Sequence, residues 1–428
     1  MTGSYDGEAA AQLSIFSTDA ADDREATTAV GGHHEQERLA RAALTRLGEP
    51  GDLRIASLVA DVGAEQAWRL LVDQDVRVPY GNREVGTVRD DVCLRAADVD
   101  AAADLERAAE LGIRFLVPGD PEWPGRLEDL HRAGAVQRRG GPPLGLWVRG
   151  RPLTTLVERA VAFVGSRSAT GYGTTTGAEI AAHVSREGYG VVSGAAFGID
   201  QATHRAALAV EGGTVAVLAC GVDRAYPSAH EQLLEKIGER GAVVSELPPG
   251  CAPTRVRFLA RNRLIAALSE GTVVVEAAVR SGALNTAHWT TRLHRPLMGV
   301  PGAVTSAASA GVHELIRTRD ATLVTSGEHV LDLLGGPEHA AGLARGAETV
   351  RDQLPRHLRE VLEGVPVTRA ITTRSVAREV AVSEAIARDS LAELSARGLV
   401  EHGDGRWRLS AGARADAEAG TGTPTVDW

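Results

Sequence analysis

The chain has 428 residues, 43% of them hydrophobic, and a formal net charge of −10 at pH 7. That is enough for two or three domains with cores of their own, and no run of about twenty apolar residues offers a membrane span. Cys93, Cys220 and Cys251 are too far apart for a disulfide framework or a zinc site, and MTGSYDGEAAAQLSIF lacks the basic leader and long apolar core of a signal peptide, so a cytoplasmic protein without metal or cofactor is expected.

Residues 1–35 are small, polar and acidic and predict a disordered tail. From Glu37 the apolar positions Leu44, Leu47, Ile55, Val59 and Val62 recur at helical spacing, which predicts a helical domain over 36–110. Within it, TRLGEPGDLRIASLVADVG fits either a degenerate helix-hairpin-helix or a plain helical bundle. The Pro/Gly-rich passage from Gly112 to Gly150 reads as the entry to a new domain, 111–334. Seven short runs follow, VAFVG, GVVSG, TVAVLA, AVVSE, TVVVE, PLMGVPG and ATLVT, alternating with helical stretches. That rhythm predicts an α/β fold with a doubly wound, mostly parallel sheet.

Residues 335–350 have the composition of a linker, and 351–410 predict a separate module. There Leu354, Leu358, Val361, Leu362 and Val365 mark a helix, while Thr373 and Ser383 are candidate caps for two more. LVEHGDGRWRLS then reads as a hairpin turning at Gly403-Asp404-Gly405, so the module describes a winged helix. Residues 411–428 are a second polar tail.

Ligands of open parallel sheets bind beyond the carboxyl ends of the strands, and three turns there suit phosphate. In the first, Gly165 permits close approach, Ser166 and helix amides can donate, and Arg167 adds a fork-shaped cation. The second, VVSGAAFGID, brings Ser193, Gly194 and Gly198 to a helix start near Ile199; in both turns the glycines equally fit a tight strand-to-helix turn with no ligand. The third, TRVRFLARNRLIAALSEG, sets Arg255, Arg257, Arg261 and Arg263 within nine residues and Phe258 three after Arg255. A guanidinium beside an aromatic face suits a phosphate next to an unstacked base. The same arginines also fit a helix start paired with acids elsewhere in the chain.

Several chemistries are missing. Lys236, the single lysine among 46 basic residues, lies in LLEKIGE, so no P-loop is present. Neither a G-x-G-x-x-G after Val164 nor a Ser-His-Asp order nor a metal-ligand cluster occurs. His204 fits a packed or capping histidine and Asp200 a helix-dipole partner, while Glu246 and Glu276, ending two strands, are candidates to point into the groove.

In this order the residues resemble the DNA-processing protein A family, also called DprA or Smf. The resemblance runs through VGSR and YG (164–173), VVSGAAFGID with His204 (191–204) and TVAVLACGVDRAYP (214–227). It continues through VVSELPPG (243–250), FLARNRLIAALSEGTVVVEAAVRSGALNTA (258–287), VPG (300–302) and GVHELI (311–316). It implies an extended Rossmann fold, a homodimer built through that domain, and no catalysis. It implies a protein that coats incoming single-stranded DNA in natural transformation, displaces single-strand-binding protein and loads the RecA recombinase.

Carried over by position, the DNA groove would use Gly165, Ser166, Arg167, Ser193, Gly194, Gly198, Arg255, Phe258, Arg261, Asn262 and Arg263. Departures are Thr203 in place of alanine, Ser228 where some members carry a lysine, and Asp320 where glycine is common. The predicted winged helix has seven arginines against six acids over 366–410, too balanced for a strong DNA-reading helix. Two other readings stand beside this one: a nucleoside-monophosphate phosphoribohydrolase of related fold, and a transcription regulator using the winged helix. VEAAVRSGALNTA lacks the double glycine of the phosphoribohydrolases.

Overall fold

A computed structural model describes residues 22–73, 83–335 and 354–414, in two compact units that divide between Ala341 and Gly342. The first unit opens with five helices: α1 (Asp22–Leu47), α2 (Leu53–Val62), α3 (Ala64–Val72), α4 (Arg83–Ala96) and α5 (Ala101–Glu110). Helix α1 begins well inside the stretch expected to be a disordered tail, so residues 22–35 correct that expectation. Its carboxyl half is anchored by fully buried Leu44 and Leu47, and a nucleated helix extends outward at little cost through polar sequence. Residues 1–21, nearly all of the expected linker and residues 415–428 lie outside the described residues.

The sheet region then runs β1 (Ile113–Leu116), a small hairpin of β2 (Ala135–Val136) and β3 (Arg139–Gly140), β4 (Leu146–Gly150), α6 (Leu153–Val157) and β5 (Ala160–Val164). Next come α7 (Gly171–Arg186), β6 (Gly190–Ser193), α8 (Ile199–Ala209), β7 (Thr214–Val217), α9 (Glu231–Arg240) and β8 (Ala242–Ser245). The region ends with α10 (Arg255–Ala267), β9 (Gly271–Val274), α11 (Ala283–Arg292), β10 (Leu297–Gly299), α12 (Ala310–Arg317), β11 (Thr322–Leu323) and α13 (Gly327–Leu334).

Nine strands form one sheet in the order β1-β4-β8-β7-β6-β5-β9-β10-β11. The strands from β8 to β11 in that order are parallel, and they are the seven runs expected from the sequence. Each of β5 to β9 is buried along its whole length, as a parallel strand covered by helices on both faces requires. In β5 the alternation is visible: Val161 and Phe163 enter one core, Ala162 and Val164 the opposite one. The antiparallel edge pair β1 and β4 was not expected. Because β5 to β8 march one way and the chain then crosses to β9 on the other flank of β5, the topological switch lies between β5 and β9. Crevices open at such switches.

The glycine turn between α1 and α2 packs against this sheet region and is half-buried there. Gly51 accepts a hydrogen bond from Gly140 N at 3.0 Å, and a Cβ on Gly51 would lie 3.1 Å from Arg263 Nε. A helix-hairpin-helix would present that turn to a DNA backbone, whereas here its glycine is engaged by the β3 backbone.

The second unit comprises α14 (Arg356–Glu363), β12 (Ile371–Thr372), α15 (Thr373–Glu379), α16 (Glu384–Ala396), β13 (Val400–Gly403) and β14 (Arg406–Leu409). Its strands form an antiparallel sheet in the order β12-β14-β13 around a core that includes Leu358, Val361, Leu391 and Trp407. Ser383 caps α16 by accepting from Ile386 N, but α15 is capped by Thr372, one residue before the expected Thr373. Asp404 and Gly405 turn the hairpin with φ of 51° and 71°.

Candidate functional site

At the switch point the amino end of α7, where an α/β domain commonly seats a phosphate, already holds an anion. Glu276, only 1% exposed, accepts from Thr170 N at 2.9 Å and from Thr170 Oγ1 at 2.6 Å. Gly173 makes room for it, since a Cβ there would lie 2.4 Å from the Glu276 Cδ. The glycines of GYG therefore serve an internal carboxylate. Ser166, likewise, accepts from Ser168 N within its own turn at 3.1 Å. What the first turn offers outward is Arg167, which is exposed.

The first and second turns touch. Gly198 has φ of 78°, and a Cβ on it would lie 2.1 Å from the Ser166 carbonyl oxygen. A Cβ on Gly165 would meet Ile199 Cγ1 at 2.4 Å. Both glycines are thus required by backbone-to-turn contact, whatever binds above. Inside the second turn Ser193 is buried and donates to the Phe163 carbonyl at 2.6 Å, so its hydroxyl faces the sheet and not the groove. Ala195, also buried, is held at φ of 53°, a left-handed conformation that costs a non-glycine residue about 1–3 kcal/mol. Asp200 compensates by accepting from Gly194 N at 3.2 Å and Ala196 N at 3.3 Å. Burial raises the Asp200 carboxyl above its usual range, and the Arg261 guanidinium opposes that.

The four arginines of the third run lie within α10 itself, not in a turn ahead of a helix, and they divide sharply. Arg255 is exposed and has no ion pair among the described residues. Arg257 gives two hydrogen bonds of 2.9 Å to Glu49, on the turn between α1 and α2. Arg263 has no exposed side-chain surface and donates from both terminal nitrogens to Glu246, at 2.9 and 2.6 Å. Arg263 is therefore corrected out of the candidate groove, and Glu246, also expected there, is its internal partner. Arg261 is 6% exposed and donates to the Gly194 and Val217 carbonyls at 2.9 and 2.5 Å. Burial drags its guanidinium down to about 10, partly offset by Asp200, so it remains a cation at neutral pH. Gly194 is bare because a Cβ would lie 2.1 Å from Arg261 Nη1. Asn262 brackets α10 to α11 through Asn285 Oδ1 at 3.2 Å.

These contacts gather one surface cluster from two turns and α10. The Arg167 guanidinium carbon lies 5.0 Å from the Phe258 ring centroid and that of Arg261 6.0 Å, while the Tyr226 ring is 5.5 Å away. Gly165, Ser166, Arg167, Gly194, Gly198, Phe258 and Arg261 are brought together, with Arg255 at the start of the same helix as Phe258. The sequence reasoning passed over Tyr172, Phe197 and Tyr226. Among the described residues these are the exposed aromatic side chains: Tyr172 in the first turn of α7, Phe197 in the turn after β6 and Tyr226 in the connection after β7. An aromatic residue inside a glycine-rich strand-to-helix turn, as in GAAFGID, was the available signal, because such a turn has no core to fill.

His204 is a core histidine. It is fully buried, and its Nδ1 lies 2.7 Å from Thr214 Oγ1, which itself donates to the Val191 carbonyl at 2.9 Å. Thr214 must then accept from Nδ1–H, which leaves Nε2 as an acceptor without a partner. Protonating Nε2 would bury an unpaired donor, and burial lowers the His204 pKa to about 3. Because the folded value lies below the unfolded one, this site stabilises the fold fully above about pH 6.5 and loses that contribution as pH falls toward 3. His204→Leu should accordingly show a shallower fall of urea midpoint between pH 6.5 and 4 than wild type; parallel curves would remove His204 as the cause.

Among the described residues no cluster of His, Cys, Asp or Glu can hold a metal, and no helix is long and apolar enough to cross a membrane. The family model for DNA recombination-mediator protein A matches residues 114–335. The chain belongs to that family. It is 42% identical over 393 residues to the putative DNA processing protein DprA of Mycobacterium tuberculosis, covering 90% of this chain and 98% of that one. DNA processing protein DprA of Streptococcus pneumoniae is 40% identical over 189 residues, 44% of this chain and 66% of its own. The X-ray structure of DNA processing protein A from Streptococcus pneumoniae superposes with a TM-score of 0.54 at 29% identity, covering 69% of this chain and 96% of that one. The matched region contains β5 to β11, both glycine turns of the candidate site and α10.

Proposed function

We propose that the protein binds single-stranded DNA without sequence preference in the groove over the carboxyl ends of β5 to β8, and so acts as a recombination mediator. In this reading it protects incoming strands, displaces single-strand-binding protein, loads RecA recombinase, works as a homodimer through the sheet domain and catalyses no reaction. Family membership supports the mediator role. The observation that carries the DNA site is the Arg167–Phe258 contact at 5.0 Å, with Arg261 beneath and Tyr226 beside it. A cation for phosphate and an aromatic face for an unpaired base lie within one nucleotide's reach. A mononucleotide reading is disfavoured because Glu276 already occupies the helix end that would receive its phosphate. We read the second unit as a winged helix that contacts protein or binds DNA weakly.

Binding of labelled single-stranded and duplex DNA across a salt series, for wild type and Arg167→Ala, tests this. Log affinity for single strands should fall by about 0.7 per log salt for each phosphate neutralised, and the variant should bind more weakly with a slope shallower by about 0.7. Equal binding by the variant would move the site elsewhere, and absence of single-strand binding by wild type would overturn the reading.

A further inference from the structure

Resting on that reading, we propose that Phe197 is a second base-stacking platform, separate from Phe258 and held in place by His230. Phe197 occupies the tip of the second turn and is 46% exposed, although a ring of that size gains most from burial. Its neighbour Gly198 backs onto the carbonyl of Ser166, so the ring stands beside the turn that presents Arg167.

The ring is braced from behind. Its centroid lies 4.6 Å from that of His230 in an edge-to-face arrangement. His230 is 2% exposed and its Nδ1 lies 2.9 Å from the carbonyl of Ala195, the residue in the left-handed conformation. Oriented by its neighbours, the Gln201 amide donates to His230 Nε2 at 3.0 Å and accepts from Arg205 at 2.9 Å. Nδ1 is then the protonated nitrogen, donating to Ala195. Arg205, Gln201 and His230 thus form a relay that fixes both the strained peptide and the edge on which Phe197 rests. The segment carrying His230 also carries Tyr226, which packs on Phe258 at 5.5 Å. One connection between β7 and α9 therefore braces two aromatic faces, and two faces serve two unpaired bases where a lone mononucleotide would use one.

Stacking acts through base faces and phosphate contacts through charge, so the two separate in one experiment. Phe197→Ala should lower affinity for a single-stranded oligonucleotide roughly tenfold, with a salt slope like wild type, and Phe197→Trp should restore it. An oligonucleotide with one abasic position in the footprint should lose affinity for wild type and less for Phe197→Ala. His230→Ala should weaken binding in wild type and add little in Phe197→Ala, as expected if it acts through that ring. The inference falls if Phe197→Ala binds like wild type while Arg167→Ala binds weakly, an outcome that leaves the DNA site intact. It also falls if the loss comes with a shallower salt slope or a lower melting temperature. No single-strand binding by wild type would remove both this inference and the reading it rests on.

Discussion

Glu246→Ala and Arg263→Ala should each destabilise the first unit by about 3–5 kcal/mol, the usual effect of leaving one partner of a buried ion pair alone. The geometry is that of a closed pair: Arg263 has no exposed side-chain surface, Glu246 has 8%, and both terminal nitrogens of the arginine are used. Removing the carboxylate strands a guanidinium whose Nε already lacks a partner. The double substitution Glu246→Leu with Arg263→Met should recover most of the loss, because an apolar pair of similar volume carries no desolvation cost. Urea unfolding of the two single variants and the double variant decides it. If Arg263→Ala instead left stability unchanged and reduced only DNA affinity, Arg263 would return to the groove.

Gly198→Ala is the second large effect. Two costs add at this position: φ of 78°, and a Cβ placed 2.1 Å from the Ser166 carbonyl oxygen. Gly188 isolates the cost of a positive φ, since its φ of 83° is similar but a Cβ there meets nothing within 4 Å, whereas Gly198 also has ψ of −123°, outside the left-handed helical region. Gly188→Ala should therefore cost only the backbone term, about 1 kcal/mol. Gly198→Ala should cost about 3 kcal/mol and drive the first and second turns apart. Single-strand affinity should fall in Gly198→Ala and stay at the wild-type value in Gly188→Ala. Equal melting temperatures for the two variants would show that the turn contact carries no energy.

The seven parallel strands were legible in the sequence for a physical reason. A strand covered on both faces must be apolar at every position, so VAFV, GVVS and TVVV announce themselves without any alternation. The antiparallel edge strands escaped notice because IRFL and LWVRG sit among prolines and glycines and carry arginines at half-buried positions. The glycines of the site fit both close phosphate approach and tight strand-to-helix turns, and internal contacts account for three of them. Gly198 and Gly165 are required by contact between turns, and Gly173 by the Glu276 carboxylate.

The amino-acid sequence by itself determined the kind of sheet, the carboxyl-end edge where the candidate site lies, and the placing of Arg167 and Phe258 at that edge. Only the tertiary structure decided which arginines are available. Arg257 is bound by Glu49, 208 residues away in the chain, and Arg263 by Glu246, 17 residues away just beyond the end of β8. Apolar burial is written locally, as a period along each strand, whereas a charge is neutralised by whichever opposite charge the fold brings within hydrogen-bonding distance. A run of four arginines therefore reads as one basic patch until the folded chain divides it.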